Sequence, residues 1–327
     1  MNQPNSVGLR RRPIVALAVA SAMFLSACGT NPHQSPEAMR PIGTSLNAWD
    51  EDIARKAELE SVGTCRLRRD VVAWFPCADS RGAPAISEAE MSTIVDKLER
   101  GIRAAKVFIG APDWSCGDDR RVFFYFPDAN FISHAPGGNT AFIPLWRIRQ
   151  DQAPWLHEAM HLLVKVDGDW LSQADGVAEA RMPLWLHEGL AEALAMAVAE
   201  QEGFAHYSPL IDVPADRLDA FAAEHIRACP DPPRLLAFVG GRGKLSELFG
   251  EERMQYAPAF YAASTPFVRS LARRDGGYRL LLRAIADFDN EITTYERLSG
   301  RSLDDSRREW MASIGVEIAP SSVAPSR

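Results

Sequence analysis

A surplus of positive charge is missing from this chain: 36 Lys and Arg stand against 43 Asp and Glu among 327 residues, a net charge of -7. Without a basic footprint, nucleic-acid binding is set aside and no nucleic-acid partner is expected. Long apolar runs are scarce too. The one near the N-terminus, Pro13 to Leu25, falls short of the roughly 20 residues that span a bilayer. Cysteine is rare, five in all, and no two form a C-x-x-C pair, which argues against a cysteine-held metal. Internal repetition at the period of about 20 to 50 residues that marks solenoids is absent as well. What is there is 46% hydrophobic and 24% charged, enough to bury the core of one large domain or two small ones.

The first residues have the form of a targeting segment: Arg10, Arg11 and Arg12 precede the short apolar run, which ends in small residues. Leu25-Ser26-Ala27-Cys28 resembles the lipobox of bacterial lipoproteins. That resemblance implies a signal peptide over 1–27, cleavage before Cys28, a lipid on its thiol, and attachment to a membrane of the cell envelope. Gly29, where Asp would favour inner-membrane retention, implies the periplasmic side of the outer membrane in a Gram-negative source. Residues 28–47, rich in Pro, Ser, Asn and Gly, form an expected flexible tether. A Ser/Pro-rich disordered tail is expected over 316–327.

Export to an oxidising compartment makes the remaining Cys65, Cys77, Cys116 and Cys229 read as two disulfides, for which three pairings exist. Cys65 and Cys77 bracket the strand-like Asp70 to Phe75, so a local bridge is preferred there, leaving Cys116 with Cys229.

Along the mature chain the pattern changes once. From 48 to 152 it mixes strand and helix. Ser87 and Glu90 form a capping box at the start of a helix whose apolar face runs through Met91, Ile94, Val95, Leu98, Ile102 and Ala105. Strands are expected over 121–127 and, behind the Gly137-Gly138 turn, over 139–145. From 153 to 315 the pattern is helical, with periodic segments at 154–165, 184–201, 215–227, 255–274, 277–288 and 303–313.

The chemistry is concentrated in Trp155-Leu156-His157-Glu158-Ala159-Met160-His161, an H-E-x-x-H pattern inside an apolar helical run. Residues four apart share a helix face, so His157 and His161 can offer two imidazole nitrogens to one ion. Two neutral imidazoles suit zinc, and Glu158 beside the first is placed to take a proton from water rather than to bind metal. A third ligand is needed. Trp185-Leu186-His187-Glu188-Gly189-Leu190-Ala191-Glu192 resembles the W-L-x-E-G-x-A-E segment of gluzincins, the superfamily of thermolysin and the M1 aminopeptidases. The resemblance implies that Glu188 completes the zinc site and that Glu192, one turn on, hydrogen-bonds the outer nitrogen of a zinc-bound histidine. Asp167, six residues after His161, is the competing third ligand, although Val164 stands where related enzymes turn the helix at a glycine. His187 points about 100° away from Glu188 around the helix and reads as structural or substrate-facing.

Tyr256-Ala257-Pro258-Ala259-Phe260-Tyr261, followed by Ser264 and Phe267-Val268-Arg269, resembles the tyrosine-bearing helix of M1-type gluzincins. In that register Tyr261 implies an oxyanion donor, with Tyr256 in reserve. The G-x-M-E-N segment of the exopeptidases is absent, so aminopeptidase activity is not implied.

The expectation is an α+β, zincin-like fold: a strand-bearing half over the helix of His157, Glu158 and His161, and a mainly helical second half. The function implied is zinc-dependent hydrolysis of a peptide or protein substrate, with the substrate strand adding itself to an edge strand at 139–145. Two alternatives stay open, a catalytically silent peptidase-like envelope scaffold and a zinc amidase acting on cell-wall peptides.

Overall fold

The strongest strand signals in the sequence do become a sheet. The computed structural model describes residues 46–317, apart from 79–81, 83–84, 132, 165–182, 209–212, 242–252, 275 and 287–292. Its strands are β1 (Thr64–Leu67), β2 (Val71–Phe75), β3 (Val122–Tyr125), β4 (His134–Gly137) and β5 (Thr140–Phe142), in the spatial order β1-β2-β3-β5-β4. The inner pairs β2/β3 and β3/β5 are parallel and the two outer pairs antiparallel. The parallel strands read VVAWF, VFFY and TAF because both of their faces are covered.

One face packs on α2 (Glu88–Phe108), where Val71, Ala73 and Phe75 meet Ile94, Leu98 and Ile102 in the main core. The capping box of Ser87 and Glu90 is present, and every residue of the expected apolar face is buried. The other face carries α1 (Leu46–Val62), with Leu59 against Tyr125 and Phe142. At the end of α2 the buried Lys106 ammonium binds Asp70 Oδ1 at 2.6 Å, tying the helix to the head of β2.

The edge beside the helix that carries His157 and His161 is β4, not the segment 139–145. Thr140–Phe142 lies one strand further in, between β3 and β4. The chain then turns into α3 (Leu145–Arg149) and α4 (Trp155–Leu163). Trp155 lies over Gly101 of α2, where an added Cβ would stand 2.3 Å from the indole, so this glycine seats the start of α4.

The rest of the described chain is helical: α5 (Leu184–Glu202), a 3-10 turn Ala215–Arg217, α6 (Leu218–Ala228), α7 (Pro232–Phe238), α8 (Arg253–Arg274), α9 (Tyr278–Ala286), α10 (Thr293–Ser299) and α11 (Leu303–Ser313). Apolar residues surround α5 on most sides, as expected of a central helix. It packs against α2, α4 and α8. One hydrophobic core runs from the sheet through α2, α4 and α5 to α8 and α11.

The expected disulfides are a correction. Cys65, Cys77, Cys116 and Cys229 are all free thiols. The pleat of β1 explains the first pair: neighbouring side chains point to opposite faces, and it is Thr64, not Cys65, that lies 3.4 Å from the Cys77 sulfur. Cys116 sits in a tight bridge with Asp119, and Cys229 is the buried residue that ends α6. Cys28 and most of the expected tether and tail lie outside the described residues; where they are described, Leu46 and Asn47 already belong to α1 and Val316 is buried in the main core. Among the described residues no helix is long and apolar enough to cross a membrane.

Candidate metal centre

Nine residues of helix are enough to bring two histidines together. On α4, His157 and His161 lie one turn apart with their rings edge-to-face, and their Nε2 atoms converge to 3.0 Å. From α5, Glu188 brings Oε2 to 3.6 Å from His157 Nε2 and 3.8 Å from His161 Nε2. Three donors on a tetrahedral zinc, with bonds of about 2.0 to 2.1 Å, stand about 3.3 Å from one another. The observed triangle brackets that value, and its donor set of two imidazoles and one carboxylate is one that zinc takes. The residues therefore fit the ion. Among the described residues His157, His161 and Glu188 are the group that could hold a metal; Asp167, the competitor, lies outside them.

The hydrogen bonds behind the triangle set its tautomers. Glu192, fully buried one turn after Glu188, holds His157 Nδ1 at 2.9 Å through Oε2. Nδ1 therefore carries a proton and the Nε2 lone pair is left to face the centre of the triangle. The other oxygen of Glu192 is 2.9 Å from His206 Nε2. His206 was not singled out in the sequence; it comes from the irregular segment after α5 and has no helical spacing to betray it. His187 also stands closer than its helical phase implied. Its ring stacks on His161 at 4.2 Å between centroids, and Nδ1 lies 3.4 Å from Glu188 Oε1.

Burial shapes the charge states. Glu158 is 3% exposed, outside the donor triangle and without a hydrogen bond from the described protein. Loss of water raises its pKa to about 7, against the downward pull of His157, His134 and Arg147. A carboxyl titrating there is matched to taking up and returning a proton near neutral pH. Burial alone would lower His157, but its bonds to Glu188 and Glu192 raise it to about 10 in the metal-free protein. His161 goes the other way, held well below its ordinary value by burial and by the neighbouring charge of His187. Glu192, despite the upward push of burial, is held far below the usual carboxylate range by the charge of His206 and the bonds from His157 and His206.

Comparison with known proteins adds little beyond this. No family profile and no curated protein matches the chain. Among solved structures it is similar to the M1 zinc metallopeptidase of Deinococcus radiodurans, in a mutant form bound to a Tyr-Ser-Ala substrate. That likeness has a TM-score of 0.43 and 15% identity, and it covers 79% of this chain and 52% of the other. The chain thus spans about half the length of that protein.

Tyr261 lies on α8 and is buried beside Phe260, one turn before Ser264. At Ser264 the backbone of α8 comes so close to α5 that a Cβ on Gly189 would stand 2.8 Å from the Ser264 carbonyl oxygen. The glycine after Glu188 is thus a contact requirement: it lets α8 press on the turn that presents the carboxylate. Tyr256, the reserve, is also buried on α8.

Proposed function

We propose that this protein is a zinc-dependent peptide-bond hydrolase of zincin-like architecture. The observation that carries the reading is the His157, His161 and Glu188 triangle beside a buried Glu158 that ligates nothing. A purely structural metal would need no such free carboxyl. Zinc held by the three donors would supply a Lewis acid for the scissile carbonyl and an acidified water. Glu158 takes the proton of the attacking water and returns it to the leaving amine. Tyr261 donates its phenolic hydrogen to the oxyanion, which a neutral phenol can do at ordinary pH. Glu192 and His206 keep His157 in the productive tautomer. The substrate chain pairs with the outer edge of β4, the strand that packs beside α4.

We further propose that the mature protein is tethered to the cell envelope by a lipid on Cys28, which restricts its substrates to peptides, proteins and cell-wall peptides outside the cytoplasm.

The test is a hydrolysis screen of the soluble form on casein, mixed peptides and peptidoglycan, with Glu158→Gln beside the parent. The amide keeps the shape of the carboxylate, so Glu158→Gln should retain fold and zinc while turnover falls about 100- to 10,000-fold. Zinc-loaded parent protein that cleaves none of these, and a Glu158→Gln form with the same behaviour, would remove the enzyme reading.

A further inference from the structure

Ten residues before His157, the third residue of α3 is a buried cation without an anion. Arg147 is 8% exposed, and a guanidinium so far from water ordinarily lies against a carboxylate. Among the described residues it has none. Nη1 donates to Ser133 Oγ at 3.0 Å, Nε is buried without an acceptor, and no carboxylate stands within ion-pair distance. With Nη1 occupied, the edge without an acceptor among the described residues is the one formed by the buried Nε and by Nη2, two parallel N–H groups spaced to grip both oxygens of a carboxylate.

That edge belongs to the neighbourhood of the metal centre. Ser133 leads directly into the edge strand β4, and the charges of His134 and Arg147 both bear on the Glu158 carboxyl. The Tyr207 ring lies 5.7 Å from the guanidinium carbon, on the same short segment that carries His206 to Glu192. Trp146 flanks it at 5.8 Å. Three separate pieces of chain, the start of β4, α3 and the segment after α5, therefore meet around one unpaired cation beside the proposed base.

We propose that Arg147 is a specificity residue that pairs with a carboxylate of the bound peptide, either an acidic side chain or the C-terminus. The peptide nature of the ligand rests on the hydrolase reading above; the carboxylate preference rests on Arg147 itself. Ser133 fixes the guanidinium plane, and Tyr207 and Trp146 cover its faces.

The experiment uses N-acetylated peptides in matched sets: each position in turn carries Glu or Gln, and each peptide ends in a free carboxylate or an amide. Binding is read by calorimetry on the zinc-loaded Glu158→Gln protein, so that bound peptide is not consumed, and kcat/KM is read on the parent. At one position, or at the C-terminus, the carboxylate peptide should bind about 10- to 100-fold tighter than its neutral twin, as a charge-assisted bidentate pair allows. Arg147→Met should bring the carboxylate peptide down to the level of the neutral one. Arg147→Lys, which keeps the charge and loses the fork, should retain only part of the preference and serves if the Met variant does not fold. The inference is overturned if no position or terminus discriminates, or if discrimination survives Arg147→Met or is undiminished in Arg147→Lys. Discrimination in binding without hydrolysis by the parent would keep this site and sink the hydrolase; hydrolysis without discrimination would do the reverse.

Discussion

His157 carries two nitrogens with different duties, and the balance between them decides how the site responds to pH. Nδ1 is committed to Glu192. Nε2 must be bare to meet a metal, yet in the metal-free protein His157 keeps its extra proton up to a pKa of about 10 because Glu188 and Glu192 both stabilise the cation. Metal and proton therefore compete for one lone pair. His161, held well below its ordinary value, is already neutral and adds nothing to that competition near pH 7. Below the His157 value each unit of falling pH should weaken zinc binding about 10-fold, so apparent affinity should rise by that factor per unit from pH 6 to 8, with about one proton released. Competition titrations with a chelating dye at several pH values check this, and a flat profile would show that no proton competes with the metal at His157. The residues of this centre were legible in sequence wherever helical spacing links them: His157 with His161, and Glu188 with Glu192. His206 and Arg147 were not, because they reach the centre from an irregular segment and a five-residue helix.

At the scale of elements, the site is set by how closely α5 is pressed between α4 and α8. Gly189 permits the contact with Ser264, and no other residue leaves that space. Gly189→Ala should force α5 and α8 apart by the reach of a methyl group. A cost of about 1 to 3 kcal/mol is expected from such overpacking, together with weaker zinc binding, since Glu188 moves with its helix. Thermal unfolding and zinc titration of the variant check both, and unchanged zinc affinity would show that Glu188 is placed independently of α8. Several elements could be read ahead, α2 from its clean apolar spacing and α5 from its density of apolar helix formers: α2, α5, α8 and α11 fall close to their expected spans. α1 could not, since its buried face includes Asp52, which receives His134 Nε2 at 2.7 Å and Arg55 at 3.0 Å in place of an apolar stripe. β4 was missed because its four residues, HAPG, contain two of the strongest strand breakers. That omission moved the expected edge one strand inward, to 139–145.

At the scale of the whole molecule, the proposed metal joins α4 to α5, two helices separated in sequence by a segment that includes Asp167. The main core already unites them, so the metal's contribution is to fix side chains on a framework that packing holds together. How the framework is placed in the cell is a separate matter, for which the lipid proposed on Cys28 is the device. Changing Cys28 to Ser should abolish incorporation of labelled palmitate and leave the proposed signal peptide uncut, because that thiol is the proposed acceptor; labelling that persisted would remove the lipid anchor. The central claim, a zinc centre built from His157, His161 and Glu188, is tested most directly by metal analysis of the purified soluble protein. About one zinc per chain is expected for the parent and for Asp167→Ala, and loss of zinc for Glu188→Ala with the fold retained. A parent that takes up no zinc, or a Glu188→Ala protein that keeps its metal while Asp167→Ala loses it, would contradict the account.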